Sequence, residues 1–411
     1  RVNMPGLDDY HRMALDWEGI ESLAFPRLWL DPAELPAIHD KAKRWEWFRE
    51  RFEKHADDRL YNPYLLRTMH LRDGDPPLGS DPAGAFLAGG ELRHAQQAKC
   101  DLMRKLDAEI DLLLNYGPAV EYAIGIRISR RWRTMVEQFD FVLGSEAFTT
   151  DERLDVLRKL AFIAEVMCSA DAWPASDAGL HRANPNFHPD VISARGVAAA
   201  MLTGHPRQAV WMDEAVAEME WTLRQSTFAS GCFDEAPTYQ FCFVSYALQM
   251  DAAVARQGCR KLRESAIFTK ALDYLASILT PVDPRAGHAM IPTIGHVTSH
   301  AHCQSMSAYF AWAALAAARS DPSFSRRMMA AWRRGGGYLL PLHEFWNGMI
   351  WALPLCLVDP ELPADETGAT TSSVVHEGLG PVLRTRHGDG SEGYLLYKLG
   401  ESRGHYDADE G

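Results

Sequence analysis

The order of the secondary-structure signals is the feature that most constrains this chain. Helical patterns fill the first 360 or so residues, and strand patterns come only afterwards. Apolar residues recur near helical spacing in segments that are separated by Gly, Pro, Asp and Ser. The predicted helices are Lys41–His55, His94–Leu114, Val120–Phe141, Asp151–Cys168, Ile192–Leu202, Gln208–Gln225, Tyr239–Arg256, Lys261–Leu279, Gln304–Arg319 and Phe324–Arg334. Such a series is typical of a helical bundle or a toroid of helical hairpins.

The composition changes after Pro360. Glu361–Ser373 is polar and rich in turn-forming residues, as expected of a linker. Strand-type runs follow at Val374-Val375, Pro381–Arg386 and Gly393–Leu399, and the last two are separated by a hairpin-like turn. Helices that all precede the strands favour two separate layers or domains over alternating βαβ units.

Length and charge exclude several classes of protein. The chain has 411 residues, of which 47% are hydrophobic and 24% charged, so it can bury a large core without disulfides. A net charge of −13 argues against nucleic acid as the main partner, although a local basic pocket can still take an acidic substrate. Apolar stretches such as Gly196–Leu202 are far shorter than the roughly 20 residues of a membrane span. The seven cysteines are scattered without a CxxC motif, which favours reduced thiols.

Two polar segments inside the helical region could carry chemistry. The first, His181–Asp190, is predicted to be a loop that presents imidazole, guanidinium and amide groups at a helix entrance, and turn-forming asparagines on the surface are the alternative. Its candidate residues are Arg182, Asn184, Asn186 and His188. The second, Phe233–Phe241, contains Glu235 and Tyr239. A tyrosine in such an aromatic stretch is either an acid–base group or a core residue with a satisfied hydroxyl.

Three weaker groups complete the set. His405, Asp407 and Asp409 alternate near the chain end, so on a strand they would share one face and could bind metal or transfer protons. A solvated terminus is the alternative reading. An arginine-rich helical segment around Arg127 and Trp132 is either a solvated face or a contact for an anionic sugar. The third group is the stretch from His288 to Cys303, which holds four histidines and includes His296. His300 and His302 are two residues apart, which is not the i, i+4 spacing of a helical zinc pair.

Taken together and in order, these segments resemble the heparinase II/III-like polysaccharide lyases, a superfamily that includes toroid-fold alginate lyases. The resemblance covers most of the chain. Two motifs depart from the family pattern: Phe187 separates an asparagine and a histidine that are usually adjacent, and Asp407 replaces the second histidine of "H-x-H-x-D". The matching segments are Phe25–Leu30 ("PRL"), Ala123–Trp132 ("GIR…W"), Asn186–His188 (Asn-His), Glu235–Tyr239 ("E-x-x-x-Y"), Gly380–Arg384, Tyr394–Gly400 and Gly404–Gly411.

The resemblance implies an α+β fold that is mainly α. An N-terminal (α/α) toroid of helical hairpins would span residues 1–360 and carry the catalytic site, and residues 361–373 would form the linker. Residues 374–411 would begin an antiparallel β-sheet (sandwich) domain, which is incomplete with three strands.

The resemblance also implies cleavage of a 4-linked uronic-acid polysaccharide by β-elimination. Donors must neutralise the uronate carboxylate, a base removes the C5 proton, and an acid protonates the departing O4. The implied catalytic residues are Tyr239, His188, His405 and Asn186. The implied substrate-binding residues are Arg127, Arg182, Asn184, Glu235, Trp132 and His296.

Further expectations follow from the same resemblance. The partner would be an anionic polysaccharide or oligosaccharide, in a secreted or periplasmic location, with no nucleic acid and no membrane span. No cofactor is required; a structural zinc or calcium ion at His405, Asp407 and Asp409 is left open, as is a homo-oligomer.

Two alternatives are carried forward. One is a glycoside hydrolase on the same toroid, pairing Asp234 or Glu235 with Asp407 or Asp409. The other is a non-catalytic carbohydrate-binding relative, because a fold does not fix a function.

Overall fold

A computed structural model describes residues 13–44, 82–116, 125–168, 187–259, 261–284, 287–292, 294–295, 307–337, 359–365, 372–387 and 391–399. The α-helices in these ranges are α1 (Leu35–Arg44), α2 (Pro82–Gly89), α3 (Leu92–Tyr116), α4 (Gly125–Val142), α5 (Thr150–Cys168), α6 (Phe187–Met201), α7 (Gln208–Ser226), α8 (Pro237–Arg256), α9 (Ala266–Ser277), α10 (Ser307–Ala317) and α11 (Pro322–Arg334). The strands are β1 (Val374–His376), β2 (Gly380–Arg386) and β3 (Glu392–Leu396).

The predicted fold class is confirmed at the level of a mainly helical chain that ends in a small antiparallel sheet. No helix in the described ranges combines the length and the apolar character that crossing a bilayer requires.

Helix α2 was not predicted, because its apolar residues surround the helix and leave no helical period to detect. Helix α6 starts five residues before the predicted Ile192, so His188 lies in a first helical turn and not in a loop. Pro189 fits there because a first turn leaves its N–H groups unbonded anyway.

The chain divides into two compact units. Unit 1 comprises residues 1–183, 190–217 and 252–260, and unit 2 comprises residues 184–189, 218–251 and 261–411. The predicted division at residues 360 and 374 stays a prediction.

Unit 1 has an apolar core with several charged groups inside it. Phe139, on α4, is fully buried. The next residue, Asp140, is also buried, and its carboxylate accepts hydrogen bonds from the backbone N–H groups of Arg27 (2.8 Å) and Leu28 (3.1 Å). The bonds satisfy polar groups that would otherwise be costly to bury, and they tie the chain before α1 to α4.

Unit 2 packs its sheet against the end of α9. The strands follow the order β1-β2-β3, with Val374 opposite Val382 and Leu383 opposite Leu395. Arg384 donates to the carbonyl of Ser277 at 2.8 Å, and the Tyr394 hydroxyl donates to the carbonyl of Ile278 at 2.9 Å. A guanidinium at a helix C-terminus satisfies carbonyls that have no partner within the helix and complements the helix dipole.

Two glycines with positive φ give a matched test of backbone strain. Gly231 has φ +89°, and a Cβ there would lie closer to the carbonyl oxygen of Lys270 than real Cβ atoms approach. Gly258 has φ +81° but open space around it. We expect Gly258→Ala to lower the free energy of unfolding by about 1–2 kcal/mol, the usual cost of a left-handed residue with a side chain. Gly231→Ala should cost clearly more, because the backbone must also move. Urea unfolding would compare the two, and equal losses would contradict the predicted clash.

Candidate functional site

His188 is held in the first turn of α6 and is only 2% exposed. Its Nε2 lies 3.0 Å from Oε1 of Glu218, on α7, although the two atoms are not aligned as a hydrogen bond. Nδ1 forms no hydrogen bond with any described residue. The contact also places the start of α6 beside the second half of α7, as expected of antiparallel neighbours joined by a short loop.

Tyr239 lies in the first turn of α8, and its side chain is 3% exposed. The loop before it is fastened to α8 by the buried Gln240. The Oε1 atom of Gln240 accepts the Phe233 backbone N–H at 3.0 Å, and its Nε2 donates to the Gly231 carbonyl at 2.7 Å. The ring of Phe233 stacks on Phe243, with centroids 4.9 Å apart. These contacts fix the backbone on both sides of Tyr239.

Three of the predicted site residues lie in unit 2 within the described ranges: His188, Glu235 and Tyr239. All three side chains are buried, Glu235 included. That His188 and Tyr239 reach a single sugar residue stays a prediction.

Two other predicted binding residues lie on α4 in unit 1. Arg127 is in the first turn of that helix, and its side chain is outside the described part. Trp132 is fully buried and donates from Nε1 to Oε2 of Glu109 at 2.8 Å. This bond satisfies the indole N–H and gives Trp132 a structural contact with α3.

The remaining predicted site residues lie outside the described residues: Arg182, Asn184, Asn186, His296, His405, Asp407 and Asp409. The open question of a metal ion at the last three is therefore untouched. Within the described ranges, no group of three or more His, Cys, Asp or Glu side chains is arranged to hold a metal ion.

The partners of these residues are not apparent from the sequence. Glu218 lies inside a long helix, where nothing in its sequence context distinguishes it from other surface glutamates. Gln240 directly follows Tyr239. The Glu-x-x-x-Tyr spacing could have pointed to Gln240, since a loop next to a proposed proton-transfer residue needs an anchor.

A buried charge cluster in unit 1 is likewise not apparent from the sequence. Arg133 on α4 pairs with Asp190 on α6 at 2.8 Å, and both side chains are excluded from solvent. Glu137, one turn after Arg133, has its Oε1 3.8 Å from the guanidinium Nε. Burial raises the pKa of Glu137 to about 8; Arg133 opposes this shift, while Asp140 and Asp190 add to it. Burial likewise raises the pKa of Asp140 to about 7, against the two backbone N–H groups that bond it.

These raised pKa values predict a stability that falls as the pH rises. Between pH 4.5 and 8 the unfolded chain has released the Glu137 proton while the folded chain still holds it. Folding then takes up a proton, so each pH unit in that window removes about 1.4 kcal/mol from the free energy of unfolding per such group. Glu137→Gln should flatten the profile, and the exposed Glu146→Gln is the control. Urea unfolding at several pH values would measure this, and parallel profiles for all three proteins would contradict it.

The thiols of the half-buried Cys168 and the buried Cys232 have an electrostatic environment that suppresses nucleophilic chemistry. Burial raises the pKa of both Cys168 and Cys232 to about 11, so each stays protonated near neutral pH. Because the thiolate is the reactive form, neither thiol is activated as a nucleophile.

No model of a known protein family matches the chain, and no curated protein matches it significantly.

Proposed function

We propose that this protein is a polysaccharide lyase that cleaves a uronic-acid-containing anionic polysaccharide by β-elimination, and that its helices form an (α/α) toroid around the substrate. The observation that carries the proposal is the placement of His188 and Tyr239. Each occupies the first turn of its helix, and both belong to unit 2. Helices α6 and α8 are separated by α7 alone, so alternating directions put their first turns at the same end.

The proposed chemistry assigns the two side chains different roles. The C5 proton of a uronate is acidic enough to remove only when the neighbouring carboxylate is neutralised. With a proton on each ring nitrogen of His188, Nδ1 donates to that carboxylate while Nε2 faces Glu218, which orients the ring. Tyr239 exchanges the proton between C5 and the leaving O4. Asn186 and His405 complete the set through the family resemblance.

A screen for unsaturated product tests this proposal. The full chain is incubated with alginate, heparin-like, chondroitin-like and pectin-like polymers, and ultraviolet absorbance of the conjugated uronate is recorded. Elimination alone creates that double bond. Reducing ends without absorbance would point instead to the glycoside hydrolase, and binding without turnover to a carbohydrate-binding protein.

Variants of the His188–Glu218 contact give the matched control. Glu218→Gln keeps the size of the side chain and removes its charge. If Glu218 orients His188, the rate of β-elimination should fall in Glu218→Gln. It should fall further in His188→Ala, which removes the imidazole itself. A Glu218→Gln rate equal to that of the wild type would remove Glu218 from the proposal.

A further inference from the structure

Unit 2 contains a cavity of about 310 Å³ that none of the proposed lyase residues lines. It is formed by α9, α11, the loop before Gly231 and the last residue of β1. Its lining residues are Ala229, Ser230, Lys270, Asp273, Tyr274, Ala276, Ser277, Arg327, Ala330 and His376. A volume near 300 Å³ lies at the lower end of the range for small-molecule sites.

One face of α9 supplies most of the polar groups. Lys270, Asp273, Tyr274 and Ser277 follow the spacing i, i+3, i+4, i+7, which places them on one side of a helix. The cavity is therefore built on a regular element and not only on a loop.

Among the described residues that line this cavity, Arg327 and Asp273 pair with each other, and Lys270 is the remaining cation. Arg327 binds Asp273 with two parallel hydrogen bonds, at 2.9 Å through Nε and at 2.8 Å through Nη2. Asp273 is thereby neutralised. Lys270 is exposed, and its ammonium forms no hydrogen bond or ion pair with any described residue. An unpaired ammonium at the rim of a cavity attracts an anionic group.

His376 offers the cavity a hydrogen-bond acceptor. The Ser277 hydroxyl donates to the Tyr274 carbonyl at 2.7 Å, so its oxygen is left to accept from Nε2 of His376 at 3.1 Å. With the proton on Nε2, Nδ1 of the neutral ring is an acceptor. Burial, helped by Arg384, lowers the pKa of His376 and keeps the ring neutral. A ligand hydroxyl can donate to Nδ1.

The rest of the wall is small and apolar. Ala229, Ala276 and Ala330 contribute methyl groups, which leave room for the hydrocarbon face of a ring. Together these walls specify a ligand with one anionic end, hydroxyl groups and an apolar face.

We propose that this cavity binds a small hydroxylated monocarboxylate of about the size of one sugar acid. Its carboxylate pairs with Lys270, a hydroxyl donates to His376, and its apolar face lies on the three alanines. The site is independent of the proposed lyase activity.

Calorimetric titration of the full chain tests the ligand class. The probes are glucuronate and quinate, with inositol lacking the carboxylate and cyclohexanecarboxylate lacking the hydroxyls. We expect at least one of the two hydroxylated acids to bind. The acid that binds more tightly distinguishes a sugar ligand from a carbocyclic one. Both controls should bind at least about tenfold more weakly. Failure of both acids, or equal binding of either control, would overturn the proposal.

Variants locate the binding. Lys270→Ala should raise the Kd at least about tenfold, Lys270→Arg should keep most of the affinity, and the exposed Lys43→Ala in unit 1 should change nothing. Ala330→Leu should fill the cavity and weaken binding without removing any charge. Tyr239→Phe should leave the Kd unchanged, which separates this site from the lyase site. Acid binding that is insensitive to both Lys270→Ala and Ala330→Leu would place the ligand elsewhere and refute the assignment.

Discussion

Replacing Tyr239 by phenylalanine is expected to lower the rate of β-elimination at least about 10²-fold, the usual size of the loss when an acid–base group is removed. The substrate is the polymer that the product screen identifies. Phenylalanine preserves the ring that packs at the start of α8 and removes only the hydroxyl. The melting temperature should therefore change little, and the loss should appear in kcat and kcat/KM together.

Tyr246 provides the matched control for this experiment. It lies on the same helix, seven residues after Tyr239, and it is fully buried. Tyr246→Phe removes the same atom from a core position and should leave the rate unchanged. Equal rates for the wild type and Tyr239→Phe, or equal losses for both variants, would show that Tyr239 has no particular role in proton transfer.

The second large effect is expected at the buried pair of Arg133 and Asp190. Arg133→Met should lower the free energy of unfolding by about 3–5 kcal/mol, because it removes the cation that lies 2.8 Å from the buried Asp190 carboxylate. Urea unfolding of the full chain measures this loss. The loss should be partly recovered in the double variant Arg133→Met/Asp190→Leu, which removes both charges of the pair.

Arg158 and Asp16 serve as the exposed counterpart of that pair. Their side chains also meet at 2.8 Å, but both are open to solvent. Arg158→Ala should cost at most about 1 kcal/mol, since water already solvates both groups. A similar loss at Arg133 and Arg158 would contradict the argument that burial makes the first pair critical.

The sequence predicted helices and strands well where a period was present. Helix α3 was expected at His94–Leu114 and spans Leu92–Tyr116, and β2 was expected at Pro381–Arg386 and spans Gly380–Arg386. It failed at α2, where a uniformly apolar segment has no period, and at the start of α6, where a proline was interpreted as part of a loop. Both misses come from applying a local rule where tertiary packing decides.

The candidate site was predictable only in its chemically conspicuous members. Histidine and tyrosine can be singled out by type and spacing, so the sequence alone is enough to propose His188 and Tyr239. Glu218 could not be, because its role depends on α7 packing beside the start of α6. The cavity around Lys270 was equally hidden, since four of its lining residues follow ordinary amphipathic spacing and His376 comes from a strand about 100 residues later.

The docking of the sheet on α9 has a consequence for the order of folding. The bonds that join them connect residues 99, 107 and 116 positions apart, whereas the α10–α11 hairpin closes locally. Closing a long loop lowers the chain entropy before any stabilising contact forms. The sheet should therefore dock after the helices of unit 2 have formed. In native-state amide exchange, the amides of β2 should open at lower free energy than those in the middle of α8. His376 enters the Lys270 cavity only when the sheet is docked, so a bound carboxylate should slow exchange in β2 selectively.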